Sequence, residues 1–391
     1  MNQTRLATWF LLLASTMTVL ASATLAPALP AMTVAFSGIE HAAFWTKMTL
    51  ALPGLVIALC APIAGSLVDK WNSQKLLVNA LILFVLSGGL GYYWQDSLWL
   101  ILGSRAMMGV AVAFIMVSGT TIAGRYFEGP QFSQFMGLQA AFGGFGGVLF
   151  LALAGFLAEQ HWTWVFAIYS LALLVLPGVW LWVKVPPVSL PPQTQSLPSS
   201  WMNRTFLLCC TLALVEIIVL YGLTIHLPFY LSAQQVSAST IGLVIAGFLF
   251  AMSCVSMGYG RVRQYLNIKQ AHIVGWLIVA TGFSLLGFVN TFSSIVCASF
   301  IIGAGLGLIR PNLVVWLFEF VPPPMRGKAM GIMTTCYFTG QFISPVLFEP
   351  MIASLGFQLF FIYLAMTIAS VAVLVAGIYL LNQKTWLKQP D

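Results

Sequence analysis

Stretches of twenty or more mostly apolar residues recur along the whole chain, separated for the most part by short polar turns. A bilayer hydrocarbon core about 30 Å thick takes roughly 20 apolar residues to cross as a helix. The stretches fall at about 6–30, 43–68, 76–95, 98–124, 132–158, 162–184, 204–231, 239–260, 271–290, 292–318, 328–352 and 357–381. They predict an all-α polytopic membrane protein with twelve transmembrane helices. Each span is expected to be helical because lipid offers an exposed backbone no hydrogen-bond partner.

Composition agrees. Apolar residues make up 60% of the chain and charged residues 6%, against about 25% charged in a soluble domain. So little ionic surface excludes a water-soluble enzyme and a disordered chain. A nucleic-acid partner is excluded too, because the net charge of +7 is spread over few, scattered basic residues that form no phosphate-tracking stripe. The bilayer is the expected partner. The six cysteines (Cys60, Cys209, Cys210, Cys254, Cys297, Cys336) sit in apolar stretches with no C-x-x-C and no histidine at metal spacing. They read as small core hydrophobes, and no metal is expected. No Walker A, serine-elbow or HExxH pattern occurs, so neither an enzyme nor ATP hydrolysis within this chain is indicated. The stretch from Leu6 to Ala31 is too long for a secretory leader and reads as a retained first helix.

Lys and Arg set the orientation. With both termini cytoplasmic, thirteen of the sixteen fall on the cytoplasmic side, Lys47 falls outside, and Arg105 and Arg310 lie within spans. An error of one span would scramble that alternation. Pro186 to Ser200 reads PPVSLPPQTQSLPSS, a proline-rich polar stretch that cannot stay helical or cross lipid. It divides the chain into a six-helix half at 1–184, a cytoplasmic linker at 185–203 and a second six-helix half at 204–391. An internal echo supports duplication: Phe135-Met136-Gly137 and Ala329-Met330-Gly331 each lead into a helix, with their Met-Gly pairs 194 residues apart.

Between the second and third spans stands Gly65-Ser66-Leu67-Val68-Asp69-Lys70-Trp71-Asn72-Ser73-Gln74-Lys75. This resembles the G-x-L-a-D-r-x-G-r-k signature of the major facilitator superfamily of secondary transporters. Gly65, Leu67, Asp69 and Lys70 match, and Asn72 replaces a glycine while tolerating the left-handed turn expected there. Gly65 is expected to let two helices approach closely, and Asp69 to latch the cytoplasmic gate through backbone amides or a neighbouring arginine. In the fourth span, Ile101, Arg105, Met108 and Gly109 resemble the family's l-x-x-x-R-x-x-q-G element, with Met108 at the glutamine position. Gly137 and Gly143 to Gly147 resemble the glycine-rich fifth-span element of its proton-coupled drug exporters, with Gly144 where a proline is expected. The resemblance implies two half-bundles rocking about a midplane site lined by the first, fourth, seventh and tenth helices.

An ionisable side chain inside a span is costly unless paired or hydrated, so it is a functional candidate. Glu216, midway along the seventh span, is the proton-carrier candidate, neutral in one gate state and ionised when hydrated or facing a cation, or else a permanently protonated carboxyl hydrogen-bonded within the bundle. Arg105, some seven residues into the fourth span, either couples to proton movement or binds an anion, or else braces helices. Arg310, beside the helix-kinking Pro311, is a substrate contact or a snorkelling arginine. His226 reads as a relay or an interfacial histidine, and Lys47 as reaching the interface or acting in the cavity. Tyr221 and Asn312 offer hydrogen bonds to a ligand or act as helix-packing glue.

These residues and the resemblance together imply a monomeric, multi-pass transporter of a bacterial inner membrane. It would be driven by a proton gradient without a bound cofactor, and would export a small organic molecule such as a drug-like compound or a siderophore. Two arginines against one carboxylate favour an anionic or zwitterionic small-molecule substrate. The alternative is a proton symporter taking up an organic anion.

Overall fold

The computed structural model describes residues 3–127, 129–185, 204–322 and 326–386. Every regular element among them is helical: α1 (Gln3–Ala23), α2 (Leu29–Ala35), α3 (Ala42–Lys70), α4 (Ser73–Tyr93), α5 (Leu98–Tyr126), α6 (Gly129–Gln160), α7 (Ala172–Trp182), α8 (Arg204–Ser232), α9 (Ala238–Val262), α10 (Ile268–Phe288), α11 (Phe292–Phe320) and α12 (Arg326–Trp386), with 3-10 turns at Ala26–Ala28 and Trp162–Leu171. Eleven helical stretches among the described residues are long and apolar enough to cross a membrane.

The last such stretch, Lys328–Val373, has 46 residues. As one straight helix it would run about 70 Å, more than twice the hydrocarbon thickness. Gly356 breaks it with φ 74 and ψ 168, a conformation open to glycine because it has no Cβ. The break falls between the eleventh and twelfth expected spans, 328–352 and 357–381.

Many serines and threonines in the helices bond back to carbonyls three or four residues earlier, as Ser104 does to Ile101 at 2.7 Å and Ser299 to Ile295 at 2.8 Å. Helix starts are capped by side chains. The Asn267 side chain accepts from Gln270 N–H while the Gln270 side chain accepts from Asn267 N–H. Asn72 departs from expectation. Its backbone is extended (φ −67, ψ 109), and its side chain caps α4 by accepting from the N–H groups of Gln74 and Lys75. Capping, not a left-handed turn, explains asparagine at this place in the motif.

The chain divides into two compact units. The first comprises Met1–Ser200, Ile217–Ala246 and Thr334–Val346, and the second comprises Trp201–Glu216, Gly247–Met333 and Leu347–Asp391. Of the expected linker, 186–203 lies outside the described residues.

Within the first unit α3 and α4 pack on α5, α1 packs on α6 and α7, and α4 packs on α7. Gly109 of the fourth-span motif is a packing glycine: a Cβ there would lie 2.7 Å from Val56 Cβ and 2.8 Å from Pro53 O, so α5 and α3 meet backbone to backbone. Gly65 behaves otherwise. Among the described residues nothing lies within 4 Å of the place its Cβ would take, so the close approach expected of it is not made there. On α3 that role belongs to Gly54, whose Cβ would lie 2.9 Å from Phe338 O. Lys70 is exposed in the last turn of α3, and the side chain of Asp69 lies outside the described residues.

In the second unit, glycines draw three helices together. A Cβ on Gly303 or Gly307 of α11 would lie 2.3 Å from the carbonyl oxygen of Phe248 or Met252 of α9, and one on Gly305 would lie 2.7 Å from Gly275 O of α10. Small residues at the crossings are how membrane helices gain contact where lipid is as apolar as leucine.

Candidate functional site

The α9–α10–α11 crossing positions Arg310. One turn before it, the Ser256 hydroxyl of α9 donates to Gly307 O at 2.8 Å. One residue after it, Pro311 brings no N–H to the helix ladder. Two residues after it, Asn312 is fully buried; its Nδ2 donates to Ile268 O at 3.0 Å, and its Oδ1 accepts from the Tyr259 hydroxyl at 2.7 Å. Both ends of the Asn312 amide are engaged in joining α9, α10 and α11, which is the packing alternative of its sequence reading.

So held, Arg310 reaches α8. Its Nε donates to Glu216 Oε1 at 3.0 Å. The two partners differ in environment: Glu216 is fully buried and the Arg310 side chain is 36% exposed. A buried carboxylate needs a close cation, and this arginine supplies one while keeping a face open. The arrangement joins a titratable carboxyl to a permanent cation. Protonating Glu216 removes the charge that neutralises Arg310, and a ligand anion that takes Arg310 removes the charge that favours ionised Glu216.

Arg105 lies in the first unit in a different setting. It is fully buried, with Nη1 donating to the Tyr169 hydroxyl at 2.9 Å. Its guanidinium carbon stands 4.6 Å from the Tyr169 ring centre and 5.4 Å from that of Phe166. Arg105 Nε and Nη2 have no hydrogen-bond partner among the described residues. Cation–π attraction substitutes for a counter-ion here. The rings are seated by α4: a Cβ on Gly88 would lie 2.3 Å from Tyr169 Cβ, and one on Gly91 would lie 2.2 Å from Phe166 Cε1.

The remaining candidates sit on α8 beyond Glu216, in the first unit. His226 is fully buried. The Tyr221 hydroxyl stands 3.5 Å from Ser22 O of α1. Lys47, expected to reach the interface, is instead buried, with its ammonium 4.4 Å above the Phe229 ring. That ring lies three residues after His226 and so on the same helical face. A fully apolar ring face gives the ammonium a partner that water would otherwise provide. Contacts between the two sequence halves gather within this unit: the Gln341 amide donates to Leu50 O at 3.1 Å, and Gly155 of α6 and Gly242 of α9 stand so close that a Cβ on the latter would lie 2.8 Å from Gly155 Cα.

Sequence reading singled out Glu216, Arg310 and Arg105 but not their partners. Glu216 and Arg310 are 94 residues apart, and no local pattern announces their pairing. Tyr169, Phe166 and Tyr259 were missed because buried aromatics are abundant in any chain of this composition. No group of three or more His, Cys, Asp or Glu that could hold a metal ion occurs among the described residues.

Residues 11–263 and 212–390 match the family model of the Major Facilitator Superfamily. The multidrug transporter protein MdtP of Bacillus subtilis is 24% identical over 340 residues, covering 70% of this chain and 61% of that protein; the match thus spans about three-fifths of the relative's length. The quinolone resistance protein NorA of Staphylococcus aureus is 23% identical over 298 residues, covering 74% of this chain and 76% of its own. Among solved structures, a bacterial homolog of the human lysosomal transporter Spinster, inward-facing and unoccupied, superimposes with a TM-score of 0.80 at 15% identity, covering 100% of this chain and 99% of the other. The human organic anion transporter MFSD10 (TETRAN) gives 0.72 at 16% identity, covering 96% and 100%.

Proposed function

This chain belongs to the major facilitator superfamily, a multi-pass membrane transporter and not an enzyme, and from that premise we propose that it exports a small zwitterionic or anionic organic molecule in exchange for protons. The reading rests on one observation, the ion pair between buried Glu216 and half-buried Arg310. Glu216 is the proton site. A zwitterionic substrate brings an ammonium that competes with the proton for Glu216 and an acidic group that takes the exposed side of Arg310. Competition at one carboxylate makes substrate and proton exclude one another, which is the requirement for exchange. A drug-like compound or a siderophore-type metabolite has suitable groups, and the likeness to a multidrug transporter and to a quinolone resistance protein supports export.

Alternating access supplies the movement, with the inner membrane of a bacterium as the setting, a monomer as the working unit and the proton gradient in place of a cofactor. The tertiary packing supports direct proton exchange at Glu216 and a bracing part for Arg105, since Arg105 is sealed among rings while Glu216 has a charged partner that a ligand can reach. Tyr221 and His226 belong to the segment of α8 beyond the proton site, within the first unit. Asp69, Lys70, Gly65 and Gly109 belong to the gate region, Gly109 by packing α5 on α3.

A second reading, proton-coupled uptake of an organic anion, is favoured by the greater exposure of Arg310 than of Glu216. Here a proton on Glu216 releases Arg310 for the anion, so the two ligands bind together. Proteoliposomes separate the readings. Under exchange, an inward proton gradient empties right-side-out vesicles of substrate; under symport it fills them. In either case Glu216→Gln abolishes dependence on the gradient while leaving gradient-free solute exchange. Gradient-driven flux at the unmodified rate in that variant would overturn both.

A further inference from the structure

At the Lys/Arg-rich ends of the first unit, α4 and α7 frame a surface groove of about 290 Å³ lined by Gln74, Lys75, Val78, Asn79 and Trp180. Its floor is built by Gln74, whose Nε2 donates to Trp180 O at 2.9 Å and so ties the start of α4 to the end of α7. The first-turn amides of Gln74 and Lys75 are already capped by Asn72, so what the groove offers is side chains. Lys75 and Asn79 are four residues apart and therefore on one face of α4. Both are exposed, and neither side chain has an ion-pair or hydrogen-bond partner among the described residues. Trp180 walls the opposite side and is 65% exposed.

The same faces continue toward the hydrocarbon as apolar track. Ile82 and Leu86 follow Lys75 and Asn79 along α4, and Leu173 lies seven residues before Trp180 on α7; all three are exposed. A cation and an amide at the polar end, a tryptophan at headgroup level and an apolar track below match the anatomy of a glycerophospholipid. The ammonium suits an anionic headgroup, and the basic residues Lys70 and Lys184 close the neighbouring helix ends.

We propose that this α4–α7 groove is a specific site for an anionic phospholipid, its phosphate held by Lys75 and Asn79 and an acyl chain lying along Ile82 and Leu86. Lipid bound here bridges the third and sixth spans and stiffens the packing of the first unit at its basic end. The site stands apart from the transport pair and does not depend on what the protein carries.

Delipidated full-length protein in detergent tests it by native mass spectrometry and thermal unfolding with phosphatidylglycerol, phosphatidylcholine of the same acyl chains, and inorganic phosphate. Phosphatidylglycerol is expected to be retained and to raise the melting temperature, with phosphatidylcholine and phosphate doing neither. Combined Lys75→Gln and Asn79→Leu should lower the retained phosphatidylglycerol about fivefold, the worth of one lysine beside an anionic surface. Trp180→Leu should lower it independently, and Lys269→Gln, at the start of α10, should leave it unchanged. Equal retention of both lipids, or a preference that survives Lys75→Gln with Asn79→Leu, reduces the groove to ordinary annular contact and overturns the proposal. Stabilisation by inorganic phosphate equal to that by phosphatidylglycerol overturns the lipid assignment in favour of a soluble anion.

Discussion

Two arginines within spans, Arg105 and Arg310, are held in opposite ways. In the first unit Arg105 has no carboxylate among its described contacts; it is enclosed by the rings of Tyr169 and Phe166 and shares one hydrogen bond at 2.9 Å. In the second unit Arg310 is paired with an ionisable partner and keeps part of its surface open. A permanent cation held by permanent quadrupoles has one state. A cation held by a group that can lose its charge has two. The difference teaches that a charge within a span is not by itself a sign of transport chemistry; what matters is whether its partner can change state.

Five substitutions at four positions break or sharpen that contrast. Glu216→Gln should have the largest effect, reducing gradient-driven flux in proteoliposomes to the level of empty vesicles, since the second state disappears. Arg105→Ala should act on the fold: removing a fully buried side chain from a ring-lined site is expected to cost about 2–5 kcal/mol, read as a lowered melting temperature in detergent. Arg105→Met is the sharper variant, because it keeps volume without charge. If it melts normally yet uncouples flux from the gradient, the contrast drawn here is wrong and both arginines take part in coupling. Gly91→Ala tests how the cage is built. Its Cβ would fall 2.2 Å from Phe166 Cε1, and overpacking of this kind costs about 1–3 kcal/mol, again as a melting shift with coupling intact. Tyr259→Phe should be mildest for transport. It leaves the buried Asn312 Oδ1 without its donor, a cost of about 1–3 kcal/mol, and loosens the crossing that aims Arg310 without touching the pair, so the melting temperature should fall and gradient dependence should persist.

The motif residues divide along similar lines. Gly65 reads from the sequence as a site of close helix approach, and Gly109 as a matched motif glycine. Among the described residues nothing crowds Gly65, while Gly109 makes a close approach against Val56 and Pro53. Asn72 replaces a motif glycine without borrowing its backbone conformation, because the side-chain carbonyl can cap α4 and a glycine has none to offer. In each case the residue type was legible, and its duty depended on which neighbour came within reach. Lys47 shows the same limit, for nothing in its local sequence marks Phe229 as the ring that would receive it.

Order along the chain was enough to establish the membrane as solvent, the helical spans and the family pattern, because backbone hydrogen bonding in lipid leaves few choices and hydropathy is additive along a segment. It also marked Glu216, Arg105 and Arg310 as unusual, since a charge among apolar neighbours stands out in one dimension. Only the packed chain decided that Glu216 and Arg310 are partners while Arg105 is held by two rings. Those contacts join residues dozens of positions apart, and their strength depends on distance and burial, which exist only once the helices have crossed.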